Sequence, residues 1–106
     1  MTTKKEMLID RSEDIEQAAH CLKAMAHPLR LKILCLLGAS ELSVQEIVDD
    51  CGTSQSNISQ HLSILRDKEI LNCRKESNRV YYYIDDQRTL QLIKLMKDVF
   101  CLNSDL

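Results

Sequence analysis

Apolar residues along the chain follow a helical spacing over most of its length, interrupted between residues 70 and 84 by two runs that read as strands. From Ser12 to Ala26 they fall at Ile15, Ala18, Ala19, Leu22, Met25 and Ala26, the pattern of one helix face. Ser12 is the expected N-cap, followed by the acidic pair Glu13-Asp14 where a helix N-terminus favours negative charge. Residues 1–11 are polar and are expected to form a flexible tail ahead of one domain over 12–103. A second helix is predicted from Pro28, with proline at a first-turn position that needs no N–H, to Leu37, stopping at Gly38. Glu41-Leu-Ser-Val-Gln-Glu46 opens a third, with Ser43 and Glu46 spaced as a capping box. Cys51-Gly52-Thr53 is a tight turn, and Ser54 caps a fourth helix running to about Lys68.

Two strands are expected next. Ile70 to Glu76 and Arg79 to Ile84 are separated by the turn Ser77-Asn78, and the second is rich in β-formers. Asp85 or Asp86 caps a last helix to about Asn103, whose apolar stripe is wide enough to serve both the core and a partner. The predicted fold is mainly α with a small β-hairpin, in the order α-α-α-α-β-β-α. Residues 43–67 read as a helix-turn-helix and 71–84 as its wing.

That anatomy makes the start of the fourth helix the candidate reader of DNA. Ser54, Gln55, Ser56, Asn57, Ser59 and Gln60 are short and polar and stand near the helix start, as major-groove readout requires. His61 follows, divided between fixing the helix against the wing and contacting the DNA backbone. Arg74, Lys75 and Arg79 on the hairpin are the candidates to track the DNA backbone or enter the minor groove. The net charge of −2 gives no global attraction to nucleic acid. The local balance does: from Ser54 to Tyr83, Arg66, Lys68, Arg74, Lys75 and Arg79 outnumber Asp67, Glu69 and Glu76. A winged-helix module that binds only protein is the competing class, favoured by the acidic total.

No phosphate-binding glycine loop, zinc-protease or serine-hydrolase motif is present, and an enzyme is not expected. The polar start lacks a signal-peptide core and no apolar run is long enough for a bilayer, so a cytoplasmic protein without membrane contact is expected. Five cysteines in a reducing compartment argue against a fixed disulfide framework. Cys51 at the bend reads as a packing residue, Cys73 as without a role, and Cys21 as filler or surface, with a third reactive thiol as the alternative. His27 reads as a cap before Pro28 and His20 as a surface residue.

Four stretches, in this order, resemble the ArsR/SmtB family of small dimeric repressors. They are Leu22-Lys-Ala-Met-Ala-His-Pro-Leu-Arg-Leu-Lys-Ile-Leu34, Glu41-Leu-Ser-Val-Gln-Glu-Ile47, Ser54-Gln-Ser-Asn-Ile-Ser-Gln-His-Leu62 and Arg79-Val-Tyr-Tyr-Tyr-Ile84. The resemblance implies a homodimer joined by the first and last helices and a two-fold symmetric double-stranded operator. Metal-sensing members place cysteines where this chain has Glu41-Leu-Ser-Val-Gln, or Asp and His ligands along the last helix, where residues 87–103 hold no His and only Asp98. Neither metal site is expected, and no cofactor. Instead, Cys35 in Ile33-Leu-Cys-Leu-Leu37 and Cys101 in Val99-Phe-Cys101 are similar to the paired thiols of the family's reactive-sulfur-sensing branch. That likeness implies that persulfide or oxidant links Cys35 to Cys101 and releases the operator. The alternatives are a repressor answering to a thiophilic metal or metalloid, and an anti-silencing activator on the same fold.

Overall fold

The computed structural model describes residues 6–100. Its elements are α1 (Ser12–Met25), α2 (Pro28–Leu37), β1 (Glu41–Ser43), α3 (Val44–Cys51), α4 (Gln55–Asp67), β2 (Asn72–Glu76), β3 (Arg79–Tyr83) and α5 (Gln87–Phe100). The five expected helices and the hairpin are present, and residues 6–11 precede α1 without regular structure. The last expected residues of the terminal helix, 101–103, and Cys101 with them, lie outside the described residues.

Three local outcomes differ from the expectation. Arg11, not Ser12, is the N-cap of α1, and no side chain caps it. Glu41–Ser43 is a strand, not the opening of a helix. The reason is the capping box: Ser43 Oγ accepts the Glu46 N–H at 3.2 Å and Glu46 Oε1 accepts the Ser43 N–H at 2.9 Å, so the helix starts at Val44. The residues before this cap are extended and pair with β3, giving a three-stranded antiparallel sheet in the order β1-β3-β2. An extended segment beside an open strand edge satisfies its backbone groups that way.

Strand β2 starts at Asn72, because Ile70 and Leu71 close α4 instead. The Glu69 N–H reaches the Arg66 carbonyl at 2.9 Å and the Ile70 N–H the Leu65 carbonyl at 2.9 Å, while Glu69 takes φ 61. This is a Schellman ending with a glutamate in the left-handed position usually given to glycine. The hairpin itself turns through Ser77 and Asn78, with Glu76 opposite Arg79.

The core lies between α2, α3 and α4. Ile33, Leu34, Leu37, Ile47, Ile58, Leu62 and Leu65 are fully buried, and Ile70, Leu71 and Ile93 complete the cluster. Helix α1 gives this core only Ala24 and Met25, leaving Ile15 and Leu22 exposed. Helix α5 buries Leu90 and Ile93, while Leu92, Leu95, Val99 and Phe100 face outward. No helix among the described residues is long and apolar enough to cross a membrane.

Candidate nucleic-acid interface

Helix α3, the turn at Gly52 and helix α4 form the helix-turn-helix. Gly52 occupies the left-handed region at φ 69 as the C-cap of α3, which lets the chain reverse into α4. Ser54 then caps α4, its Oγ accepting the Asn57 N–H at 3.1 Å. The buried stripe of Ile58, Leu62 and Leu65 fixes the rotation of α4 about its axis. With that face inward, Gln55, Ser56, Ser59 and Gln60 are exposed. Asn57 is half-buried, and its Nδ2 donates to Thr53 Oγ1 at 3.2 Å, so its amide is turned back toward the bend.

His61 is also turned inward. Its Nδ1 accepts from Arg30 Nε at 3.1 Å, and its ring lies 4.5 Å from that of His27. It is therefore held against α2, not against the wing as its place in the sequence suggests. His27 caps α2 through its side chain, Nδ1 accepting the Leu29 N–H at 3.1 Å, and His20 is exposed. Desolvation, reinforced by His27 and by the Arg30 charge, holds the His61 pKa below the ordinary histidine value. Sequence reasoning missed this junction; Arg30 and His61 are 31 positions apart, and only tertiary packing joins them.

On the hairpin the three candidate cations have different surroundings. Lys75 and Arg79 are exposed. Arg74 is engaged across the sheet: Nε donates to both carboxylate oxygens of Glu41 at 3.0 Å and a terminal nitrogen bonds Glu41 Oε1. Its guanidinium also lies 4.7 Å over the Tyr81 ring and 3.6 Å from Glu76. The bond from Arg74 holds the Glu41 carboxyl below the usual carboxylate range. Glu41 carried no signal in the sequence, because its strand was not anticipated. A cleft of about 490 Å3 opens between α3, the start of α4 and the hairpin, with Glu46, Asp49, Gln55 and Arg79 on its walls. The Glu46 carboxyl is held low by its two bonds to Ser43, and the Arg79 charge adds to this.

The thiols also separate. Cys35 is exposed on α2, not packed between its leucine neighbours. Cys51 is half-buried against the core, and burial pushes its thiol pKa up, so it packs rather than reacts. Cys21 and Cys73 are half-buried, with Gln17 Nε2 3.8 Å from the Cys21 sulfur. No group of three or more His, Cys, Asp or Glu among the described residues is arranged to hold a metal ion.

The family pattern described as "Bacterial regulatory protein, arsR family" matches residues 27–72, from the cap of α2 to the start of β2. The chain is 40% identical over 87 residues to the HTH-type transcriptional regulator YgaV of Escherichia coli, covering 81% of this chain and 88% of that one. It is 38% identical to the transcriptional activator HlyU of Vibrio cholerae, covering 89% and 87%. It is 30% identical to a biofilm growth-associated repressor of Xylella fastidiosa, covering 87% and 81%. Among solved structures, reduced HlyU from Vibrio cholerae superposes with a TM-score of 0.79 at 39% identity, covering 84% of this chain and 94% of that one. A winged helix-turn-helix DNA-binding domain from Mycobacterium bovis, described as homodimeric, superposes at 0.76 with 29% identity, covering 88% and 89%.

Proposed function

The chain belongs to the arsR family of bacterial regulatory proteins and is a winged-helix transcriptional regulator rather than an enzyme; from that premise we propose that it is a homodimeric, thiol-switched repressor. In this reading α4 enters the major groove, Gln55, Ser56, Ser59 and Gln60 meet base edges, and Lys75 and Arg79 on the hairpin meet phosphate. The observation that carries it is the exposed polar row at the start of α4, beside a hairpin whose outward cations are Lys75 and Arg79. Ser54 holds the helix terminus, and Asn57 and His61 act as supports from inside. The second protomer joins through α1 and α5, whose outward residues Leu22, Leu95, Val99 and Phe100 remain uncovered. A dimer sets two copies of α4 at the half-site separation of about 34 Å.

The switch is the thiol pair. Cys35 is exposed, as a reactive thiol must be, and one similar structure is described as a reduced form. The Cys35 thiolate attacks the outer sulfur of an organic persulfide, R–S–SH, and R–S⁻ leaves. The Cys101 thiolate then attacks the Cys35 sulfur and expels HS⁻. The product is a disulfide between α2 and the segment after α5; the persulfide has accepted two electrons. Such a link biases the dimer toward a separation of the α4 helices that no longer fits the operator.

Fluorescence anisotropy on duplex DNA from the upstream region of the gene tests this. The reduced protein should bind, persulfide should release it, and dithiothreitol should restore it. Cys35→Ser and Cys101→Ser should each bind like the reduced wild type and ignore persulfide; a fully responsive variant would overturn the pair. The relative named as a transcriptional activator favours one second reading, activation, which this chain would achieve by displacing another DNA-bound protein. A promoter fusion in a deletion strain separates the two, since loss of a repressor raises expression and loss of an activator lowers it.

A further inference from the structure

The junction that holds α4 against α2 contains an uncompensated cation and two imidazoles. Arg30 is half-buried and bridges three helices. Nε donates to His61 Nδ1 on α4 at 3.1 Å, and a terminal nitrogen donates to the Ala24 carbonyl of α1 at 2.9 Å. Both acceptors are neutral, and no carboxylate pairs with Arg30 among the described residues. Across the junction the His27 ring lies 4.5 Å from His61 with its own Nδ1 accepting the Leu29 N–H. Each Nδ1 is therefore a lone-pair acceptor, which requires both rings to be neutral with the proton on Nε2.

We infer that Arg30 is the positioning residue of the recognition helix, and that protonation of His61 releases it, making DNA affinity fall as the solution is acidified. A protonated His61 presents an N–H to the N–H of Arg30, so the bond is replaced by two facing donors and two like charges. The charged and titratable groups acting on His61 are His27 and Arg30, both on α2; α1 contributes only the Ala24 carbonyl. The His27 ring cannot relieve the loss, because its Nδ1 is already engaged in accepting the Leu29 N–H that caps α2. The depressed His61 pKa agrees with this arrangement. A histidine with a lowered folded pKa contributes stability that is complete above its unfolded value and is lost as pH falls through the folded one. The released element is the helix that carries Gln55, Ser56, Ser59 and Gln60, so loosening it blurs base readout.

This proposal rests on the DNA-binding reading, and it predicts a sign opposite to simple electrostatics. Added positive charge on a DNA-binding protein ordinarily tightens its hold on phosphate at low pH. Here affinity for the operator duplex should weaken by roughly severalfold between about pH 7.5 and about pH 5.5, the window in which a histidine gains its charge. The readout is the ratio of the two affinities. In His61→Gln, whose amide oxygen accepts from Arg30 and does not titrate, that ratio should approach one whatever the absolute affinity. His20→Gln, altered at an exposed site on α1, should keep the wild-type ratio. An NMR titration of the free reduced protein should show the His61 ring titrating below the ordinary histidine value. A wild type that binds equally or more tightly at the lower pH, a ratio unchanged in His61→Gln, or a His61 that titrates at or above the ordinary value would overturn the proposal. A wild type with no duplex affinity at neutral pH would instead overturn the DNA-binding reading, and the NMR titration would still decide whether the junction is proton-sensitive.

Discussion

Arg74 and Arg79 lie on paired strands of one hairpin, yet their side chains have different obligations. Both are exposed, but Arg74 is bound to Glu41 and stacked on Tyr81, whereas Arg79 makes no side-chain hydrogen bond or ion pair among the described residues. Arg79→Ala should therefore lower the slope of log affinity against log salt by about two, the loss of one phosphate contact from each protomer of the dimer. Arg74→Ala should leave that slope unchanged and lower the melting temperature through the lost tie between β1 and β2. Equal slopes for the two variants would contradict this division. The cysteines divide similarly. Cys35 is exposed, and Cys51 is half-buried with its thiol pKa raised by desolvation. Brief iodoacetamide labelling of the native protein, read by peptide mass spectrometry, should modify Cys35 well before Cys51. Both contrasts come from surroundings that residue type alone does not reveal.

At the level of elements, helix ends were the most legible features where a side chain supplies the cap. The Ser43–Glu46 box, the Ser54 cap, the His27 cap before Pro28 and the stop at Gly38 are all encoded within a few residues, and all are present. Strand β1 was not legible, because three residues carry no periodicity and their extended form depends on a partner 40 positions away at its centre, where Leu42 is opposite Tyr82. The close of α4 was hidden for a related reason: the left-handed residue is Glu69, where a glycine would have marked the turn. A side chain in that region costs about 1–2 kcal/mol relative to glycine. Glu69→Gly should therefore stabilise the fold by about 0.5–1 kcal/mol in urea unfolding, after the glycine entropy cost, with the hairpin retained. A destabilised variant would show that the Glu69 side chain contributes more than its backbone strain costs.

Over the whole molecule, two helices are left incompletely covered. Phe100 is 80% exposed, Leu95 57% and Leu22 49%, on the elements that pack least on the core. Leu95→Glu should shift the protein from dimer to monomer in analytical ultracentrifugation and weaken operator binding by more than tenfold, because the two half-sites are then bound independently. A variant that stays dimeric would remove α5 from the interface. The chain by itself determined the helix-turn-helix, the hairpin, the polar row on α4 and the presence of two surfaces on α5. Those properties follow from periodicity, caps and turn residues, which act over a few positions. Only the tertiary structure decided that Glu41 ties down Arg74, that Cys35 faces out while Cys51 packs inward, and that Arg30 holds His61. Each depends on which faces of distant elements the buried core turns toward one another, and local spacing carries no record of that.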